Sequence, residues 1–279
     1  MVHLEWSERP SGEHPVMIAA FEGWNDAGDA ATTAIEHLTR EWSARTFASV
    51  DPEEFYDFTS TRPQVRITAG TTRRIDWPAN TFSWARPRGT GGVILLRGVE
   101  PQLRWRTFCE QVLEVASATG CSMVVTLGAL LADVAHTRPT SVFGNAYDSA
   151  VIERLGLEPS HYEGPTGIVG VLHAACADAG LDSASLWAAV PAYVPSVPSP
   201  KAALALVERT ADLIGTAVGI DGLLAPASAY EDQLDRLVQE DDATVDYVRL
   251  LEEQHDQDQD AVQSADDMVE EVERFLREQ

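Results

Sequence analysis

The strongest constraint in this 279-residue chain is an alternation of short apolar runs with stretches of helical periodicity. Pro15-Val-Met-Ile-Ala-Ala-Phe21 is a continuous apolar run that ends in Glu22-Gly23. A run of that length bounded by a turn signal fits a strand buried on both faces. Ala31, Ala34, Ile35, Leu38 and Trp42 follow at the spacing of one buried helix face. Gly92-Val-Ile-Leu-Leu-Arg97 repeats the strand pattern, and a helix with Phe108, Val112 and Val115 runs to a stop at Gly120. Ser122 to Leu127 reads as a third strand, Thr140 to Gly144 as a fourth and Ser185 to Val190 as a fifth. A helix over Gly167 to Ala179 precedes the last of these. Shorter β-branched and aromatic stretches, Val65 to Thr68 and Thr81 to Ala85, suggest hairpin strands. Strands alternating with helices imply an α/β fold with a largely parallel sheet covered on both faces.

Pro191, Pro195, Pro198 and Pro200 make a stiff loop after the fifth strand. Ser199 is placed to cap a helix that has Pro200 at its first position. Leu204, Val207, Ala211 and Ile214 give that helix one apolar face, and it closes the body. The charge then changes. The chain carries 20 Lys+Arg against 44 Asp+Glu, net −24. Residues 221–279 alone hold 19 acids and 4 bases, net −15, which leaves −9 for residues 1–220. We therefore expect two parts, a 1–220 α/β body and a 221–279 acidic helical extension. Tyr230, Leu234, Leu237 and Val238 form one amphipathic stripe of the extension, and Val269, Val272 and Leu276 another. Between them, Glu252 to Asp260 has five acids in nine residues. The pattern predicts a helical hairpin or an extended helical arm, with the acidic stretch as an exposed turn or solvated helix.

Composition excludes several classes. A net charge of −24 is unsuited to nucleic acid or to an anionic membrane surface, both of which need a basic face. No apolar run reaches the roughly 18–20 residues of a membrane span, and the first residues have neither a basic start nor an apolar signal core. Cys109, Cys121 and Cys176 lack any C-x-x-C spacing, so neither a disulfide framework nor a zinc site is expected. These features point to a cytoplasmic protein with reduced cysteines.

No standard catalytic motif is complete. The chain has no G-x-S-x-G, no H-E-x-x-H and no G-x-x-x-x-G-K-[ST]. Gly89-Thr-Gly-Gly92 precedes a strand and reads as a turn. We expect no metal and no cofactor, and a non-enzymatic role over an enzymatic one. Three segments remain as candidate ligand sites. The first is Phe21-Glu-Gly-Trp24-Asn25-Asp26-Ala-Gly-Asp29, at the carboxyl end of the first strand, where open α/β sheets bind ligands. Asp26 or Asp29 can also be a plain helix cap there, with Trp24 as packing. The second runs from Leu127 to Pro139 between two strands and holds His136 and Arg138, a proton carrier and an anion contact, or side chains bonded to loop carbonyls and carboxylates. The third is Tyr162-Glu-Gly164-Pro-Thr166-Gly167-Ile-Val-Gly170, a glycine-rich helix start. Its glycines can equally let the helix approach the sheet, and His173 beyond them reads as a core histidine.

The three segments together, with Leu186-Trp-Ala-Ala-Val-Pro-Ala-Tyr-Val194 and Ser199-Pro-Lys-Ala-Ala-Leu204, resemble the proteasome assembly chaperone family, in its type-two group and its actinobacterial, uncharacterised branch. The resemblance spans roughly Val16 to Ala217. It implies a three-layer α/β/α sandwich resembling the purine nucleoside phosphorylase fold, often with C-terminal helices. It also implies homo-oligomers and, in archaeal and eukaryotic relatives, proteasome assembly. The partners expected from it are a second copy of the chain and proteasome subunits or another protein. Some archaeal relatives end in a hydrophobic residue, tyrosine and one further residue that dock on the proteasome ring. This chain carries Glu278 at the tyrosine's place, so that mode is not expected. The alternative is a small-molecule-binding protein or enzyme acting on a nucleoside-like or phosphorylated ligand. In that case the three loops converge, with Arg138 on an anion, His136 moving a proton and Asp26 orienting the ligand.

Overall fold

A computed structural model of the chain describes residues 3–68, 72–160 and 162–277. Its centre is four parallel strands in the order β7 (Val93–Val99), β2 (Val16–Glu22), β8 (Met123–Ala132) and β11 (Asp182–Pro191). These are the apolar runs of the sequence, and the register sets Ile18 beside Leu95 and Val125. Alternate side chains go to opposite faces. Met17, Ala19 and Phe21 pack with α2 (Trp105–Thr119) and α4 (Ile168–Asp178). Ile18 and Ala20 pack with α1 (Ala30–Glu41) and α5 (Pro200–Ile214). Each face of the sheet thus has its own apolar core, and the architecture is a three-layer α/β/α sandwich.

The flanks of the sheet are mostly antiparallel, as the hairpin reading of Thr81 to Ala85 implied for one side. On one side β6 (Asn80–Ala85) pairs with β7, β3 (Arg45–Val50) with β6, and β1 (Leu4–Trp6) with β3. On the other, β9 (Val142–Ala146) runs against β11 and carries the two-residue strand β10 (Glu158–Pro159). The two expected hairpin stretches are not partners of each other. Thr81 to Ala85 joins the main sheet, whereas β4 (Gln64–Thr68) pairs with β5 (Thr72–Asp76) in a separate two-stranded ribbon. A short helix, α3 (Ser149–Leu155), follows β9, with Asp148 accepting from the N–H groups of Ala150 and Val151.

Helix ends follow their local chemistry. The Ser199 hydroxyl accepts from Ala202 N–H with Pro200 at the first helical position, and Gly120 ends α2 in the left-handed region. The acidic extension is a helical hairpin of α6 (Asp221–Val238) and α7 (Asp242–Arg277). Glu252 to Asp260 is helix within α7 rather than a turn. Leu223 of α6 is buried in the core that α1 and α5 share. Val248 and Leu251 of α7 pack with Ala135 and Tyr193 of the body. The stripe Val269, Val272 and Leu276 lies outside the residues whose side chains are described. Among the described residues, no helix is long and apolar enough to cross a membrane.

Candidate functional site

The connection after β2 turns to the face covered by α1, and the one after β7 turns to the face covered by α2. In open α/β sheets, ligands sit at the carboxyl ends of the strands. Here β8 and β11 also continue beyond the end of β2, staying paired from Met123/Asp182 to Ala132/Pro191. A cavity of about 900 Å³ lies at these ends, lined by the loop after β2, by β8, β9, β11 and α4, and by the proline loop. That is the size of a site for an organic ligand.

The first sequence segment builds one wall. Trp24, Asn25, Asp26 and Asp29 all line the cavity. Asn25 carbonyl accepts from Ala129 N–H at 2.8 Å, which fastens the loop to β8. Asp26 is buried and caps α1. Its Oδ1 accepts from Ala31 N–H at 2.6 Å and Thr32 N–H at 3.3 Å, and its Oδ2 accepts from the Thr32 hydroxyl. Burial raises its pKa from 3.8 to about 6 against these bonds. Gly28 and Asp29 follow in the left-handed region, at φ 59° and 50°. Gly28 is also in close contact with the proline loop, its carbonyl accepting from Ser199 N–H at 2.7 Å.

The third segment meets the first through a residue that sequence reasoning missed. Glu100 Oε1 accepts from Asn25 Nδ2 at 3.1 Å and from Ile168 N–H at 2.8 Å. A carboxylate at a helix N-terminus is favourably placed in the helix dipole. Glu100 thus takes the first N–H of α4, which the glycine-rich sequence offers to an external anion. Gly167 is required by this contact. A Cβ there would lie 2.2 Å from Asn25 Nδ2 and 2.6 Å from Glu100 Oε1. Thr166 lines the cavity, whereas Gly164 sits beside the Tyr162 ring at the rim. The one available signal for Glu100 was its position as an acid at the end of the β7 run.

The cavity floor is polar. His173 Nε2 lies 3.0 Å from Thr126 Oγ1 and 2.5 Å from Ser185 Oγ, and its Nδ1 lies 2.8 Å from Ser183 Oγ. Burial pushes this imidazole down from 6.5 to about 4, so it is neutral near pH 7. It is the expected core histidine, and it also lines the cavity. The mouth is apolar. Trp24 (64% exposed), Tyr162 (67%), Tyr147, Phe143, Leu130 and Leu131 stand around it. Tyr147 and Phe143 were not singled out in the sequence, because they come from a strand and a loop with no motif, whereas Leu130 and Leu131 belong to the second segment.

The second segment divides: Leu130 and Leu131 line the cavity, whereas His136 and Arg138 lie elsewhere. His136 is buried under α6, with Nδ1 2.7 Å from the Tyr193 hydroxyl and Nε2 3.0 Å from Asp235 Oδ1. Tyr193 also accepts from His136 N–H at 2.9 Å. Arg138 grips α7 by donating from Nε and Nη2 to Asp256 at 2.8 and 2.7 Å, with Glu252 3.4 Å from Nη1. Lys201 donates to the carbonyls of His136 and Arg138 at 2.6 and 2.8 Å and pairs with Glu231 of α6. These side chains join the body to the helical hairpin. Cys109, Cys121 and Cys176 are free thiols. Among the described residues, no group of three or more His, Cys, Asp or Glu is arranged to hold a metal.

The comparisons agree with this geometry. No protein among the curated ones matches the chain. A PAC2 family protein from Streptomyces avermitilis is 47% identical, with a TM-score of 0.79 over 84% of this chain and 99% of that one. A proteasome-assembly chaperone homologue from Mycobacterium tuberculosis is 46% identical, with a TM-score of 0.76 over the same shares. An archaeal proteasome activator from Pyrococcus furiosus, 19% identical with a TM-score of 0.68 over 84% of this chain and 97% of that one, shares the fold. The sequence profile of the PAC2 family matches residues 20–238, and the chain belongs to the PAC2 family.

Proposed function

We propose that this chain is an oligomeric protein-interaction protein of the proteasome-assembly chaperone kind, acting on proteasome subunits in the cytoplasm. The observation that carries the reading is the 46% identity to a proteasome-assembly chaperone homologue across nearly the whole of that protein. The exposed apolar face of the β4–β5 ribbon supports an interaction role. Val65 and Ile67 are 62% and 65% exposed and Ile75 is 52% exposed, all on one side of a ribbon outside the main sheet. The test is native mass spectrometry of the protein purified from its own host. Homo-oligomers carrying proteasome subunits are expected. A bare monomer under gentle conditions overturns the reading.

A second reading is favoured by a specific observation, the cavity of about 900 Å³ at the strand ends. In this reading the chain binds a small molecule there, held by Trp24, Asn25, Asp26, Asp29 and Thr166, with Gly167 letting Asn25 and Glu100 pack closely rather than touching the ligand. His136 and Arg138 then have no part in binding, because their side chains are committed to Tyr193, Asp235 and Asp256. Gly164 would act only by shaping the rim. A discrete small-mass adduct on the protein in the same native spectra is the expected sign of this reading.

A further inference from the structure

The cavity has a chemical bias that narrows its ligand. Its described lining contains Asp26 and Asp29 and no Lys or Arg. The one histidine in it, His173, is neutral near pH 7 and has both nitrogens bonded to hydroxyls. A phosphate or carboxylate in such a place would meet carboxylates and no cation, and α4 offers its first N–H to Glu100 instead. Asp29 is exposed, and its carboxylate makes no hydrogen bond or ion pair among the described residues. The same lining holds four aromatic rings that are each more than half exposed, Trp24, Tyr147, Phe143 and Tyr162. Aromatic rings attract cations through their quadrupole and bind flat apolar bodies by stacking. Asn145 also lines the cavity and adds a neutral amide with no partner among the described residues.

We infer that the cavity binds a protonated amine carrying a flat apolar or aromatic body, with Asp29 as the counter-charge and Trp24 as the stacking surface. The inference rests on the small-molecule reading above, and its test separates the two. Three probes share one ring: tryptamine is a cation, indole is neutral and indole-3-acetate is an anion at about pH 7. Binding is read by protein-detected NMR and calorimetry on the full chain. Tryptamine is expected to bind at least about tenfold more tightly than indole-3-acetate, in the millimolar range expected of a fragment this small. Asp29→Asn keeps the shape, and asparagine tolerates the left-handed backbone. It is expected to weaken tryptamine about fivefold and leave indole unchanged. Trp24→Ala removes an exposed ring and is expected to weaken both.

If the anion binds as well as the cation, or Asp29→Asn leaves tryptamine unaffected, the charge assignment is overturned. Indole perturbing Trp24 and Tyr162 in that case leaves the small-molecule reading standing. If no probe perturbs the cavity residues, both fall. If Trp24→Ala shifts the oligomer distribution while no probe binds, the cavity is a protein interface and the inference is overturned.

Discussion

Asp26 and His173 both line one cavity and respond to pH with opposite sign. The native Asp26 carboxyl holds its proton up to about pH 6, whereas an exposed aspartate releases it near 3.8. Between those values the native state binds more protons, so this contribution to stability falls as pH rises from about 4 to about 6. His173 is the reverse. Its pKa drops from 6.5 to about 4, so the unfolded chain binds more protons in that interval and stability rises with pH. Each shift is roughly two units, on the order of 3 kcal/mol, and the two contributions largely cancel in the wild type. Replacing one unmasks the other. Asp26→Asn retains an acceptor for Ala31 and Thr32 and is expected to fold. Its stability relative to wild type, from urea titrations, should rise as pH goes from 4 to 6 and then level off. His173→Asn should show the opposite trend, less favourable relative to wild type at pH 6.5 than at pH 4. A difference curve for Asp26→Asn that is flat between pH 4 and 6 would show that the native carboxyl ionises normally.

The C-terminal hairpin is held by elements that read as a ligand site in sequence. Arg138 makes two parallel bonds to Asp256, a geometry that lysine cannot reproduce. His136 is buried between Tyr193 and the exposed carboxylate of Asp235, and His136→Ala removes both contacts of its ring. Arg138→Lys is therefore expected to raise hydrogen exchange in α7 around Glu252 and Asp256 while leaving β2 and β8 protected. His136→Ala should extend the exchange into α6. Unchanged exchange in α7 after Arg138→Lys would mean that the apolar contacts of Val248 and Leu251 hold the helix alone. The same elements show what was legible beforehand. Strands buried on both faces, such as β2 and β7, announce themselves as apolar runs, and caps at Ser199 and Gly120 are local chemistry. The flanking strand β3 reads Arg-Thr-Phe-Ala-Ser-Val and the edge strand β1 has three residues, so neither leaves a periodic signal. The wall built by Trp24 to Asp29 was legible because a loop at a strand end is a general ligand position. Glu100 was not, since its partner Ile168 is 68 residues away. The role of Arg138 depends on acids 114 and 118 residues further on, which no local pattern pairs with it.

At the scale of the molecule, charge is segregated in a way that suits self-association. The chain is net −24, and α7 from Asp242 to Arg277 holds 12 acids and 3 bases. The ribbon segment 62–76 instead carries Arg62, Arg66, Arg73 and Arg74 against the one acid Asp76. Its register puts Val65, Ile67, Ile75 and Arg73 on one face. A two-stranded ribbon alone in water is marginal, so a covered face would stabilise it more than an exposed one. A basic, apolar ribbon in an acidic protein is complementary to the acidic helices of a second copy, and attraction of this kind is screened as salt rises. Ile67→Glu places a like charge against that acidic surface. Because Ile67 is largely exposed, the change should alter the stability of the isolated protomer by no more than about 0.5 kcal/mol. The expected result in sedimentation or native mass spectrometry is a shift from oligomer to protomer with an unchanged circular dichroism spectrum. A wild-type oligomer held by this contact should itself weaken between about 0.1 M and 1 M salt, as the screening length falls from about 10 Å to about 3 Å. An oligomer that tolerates both Ile67→Glu and high salt would place its interface on an apolar surface other than the ribbon.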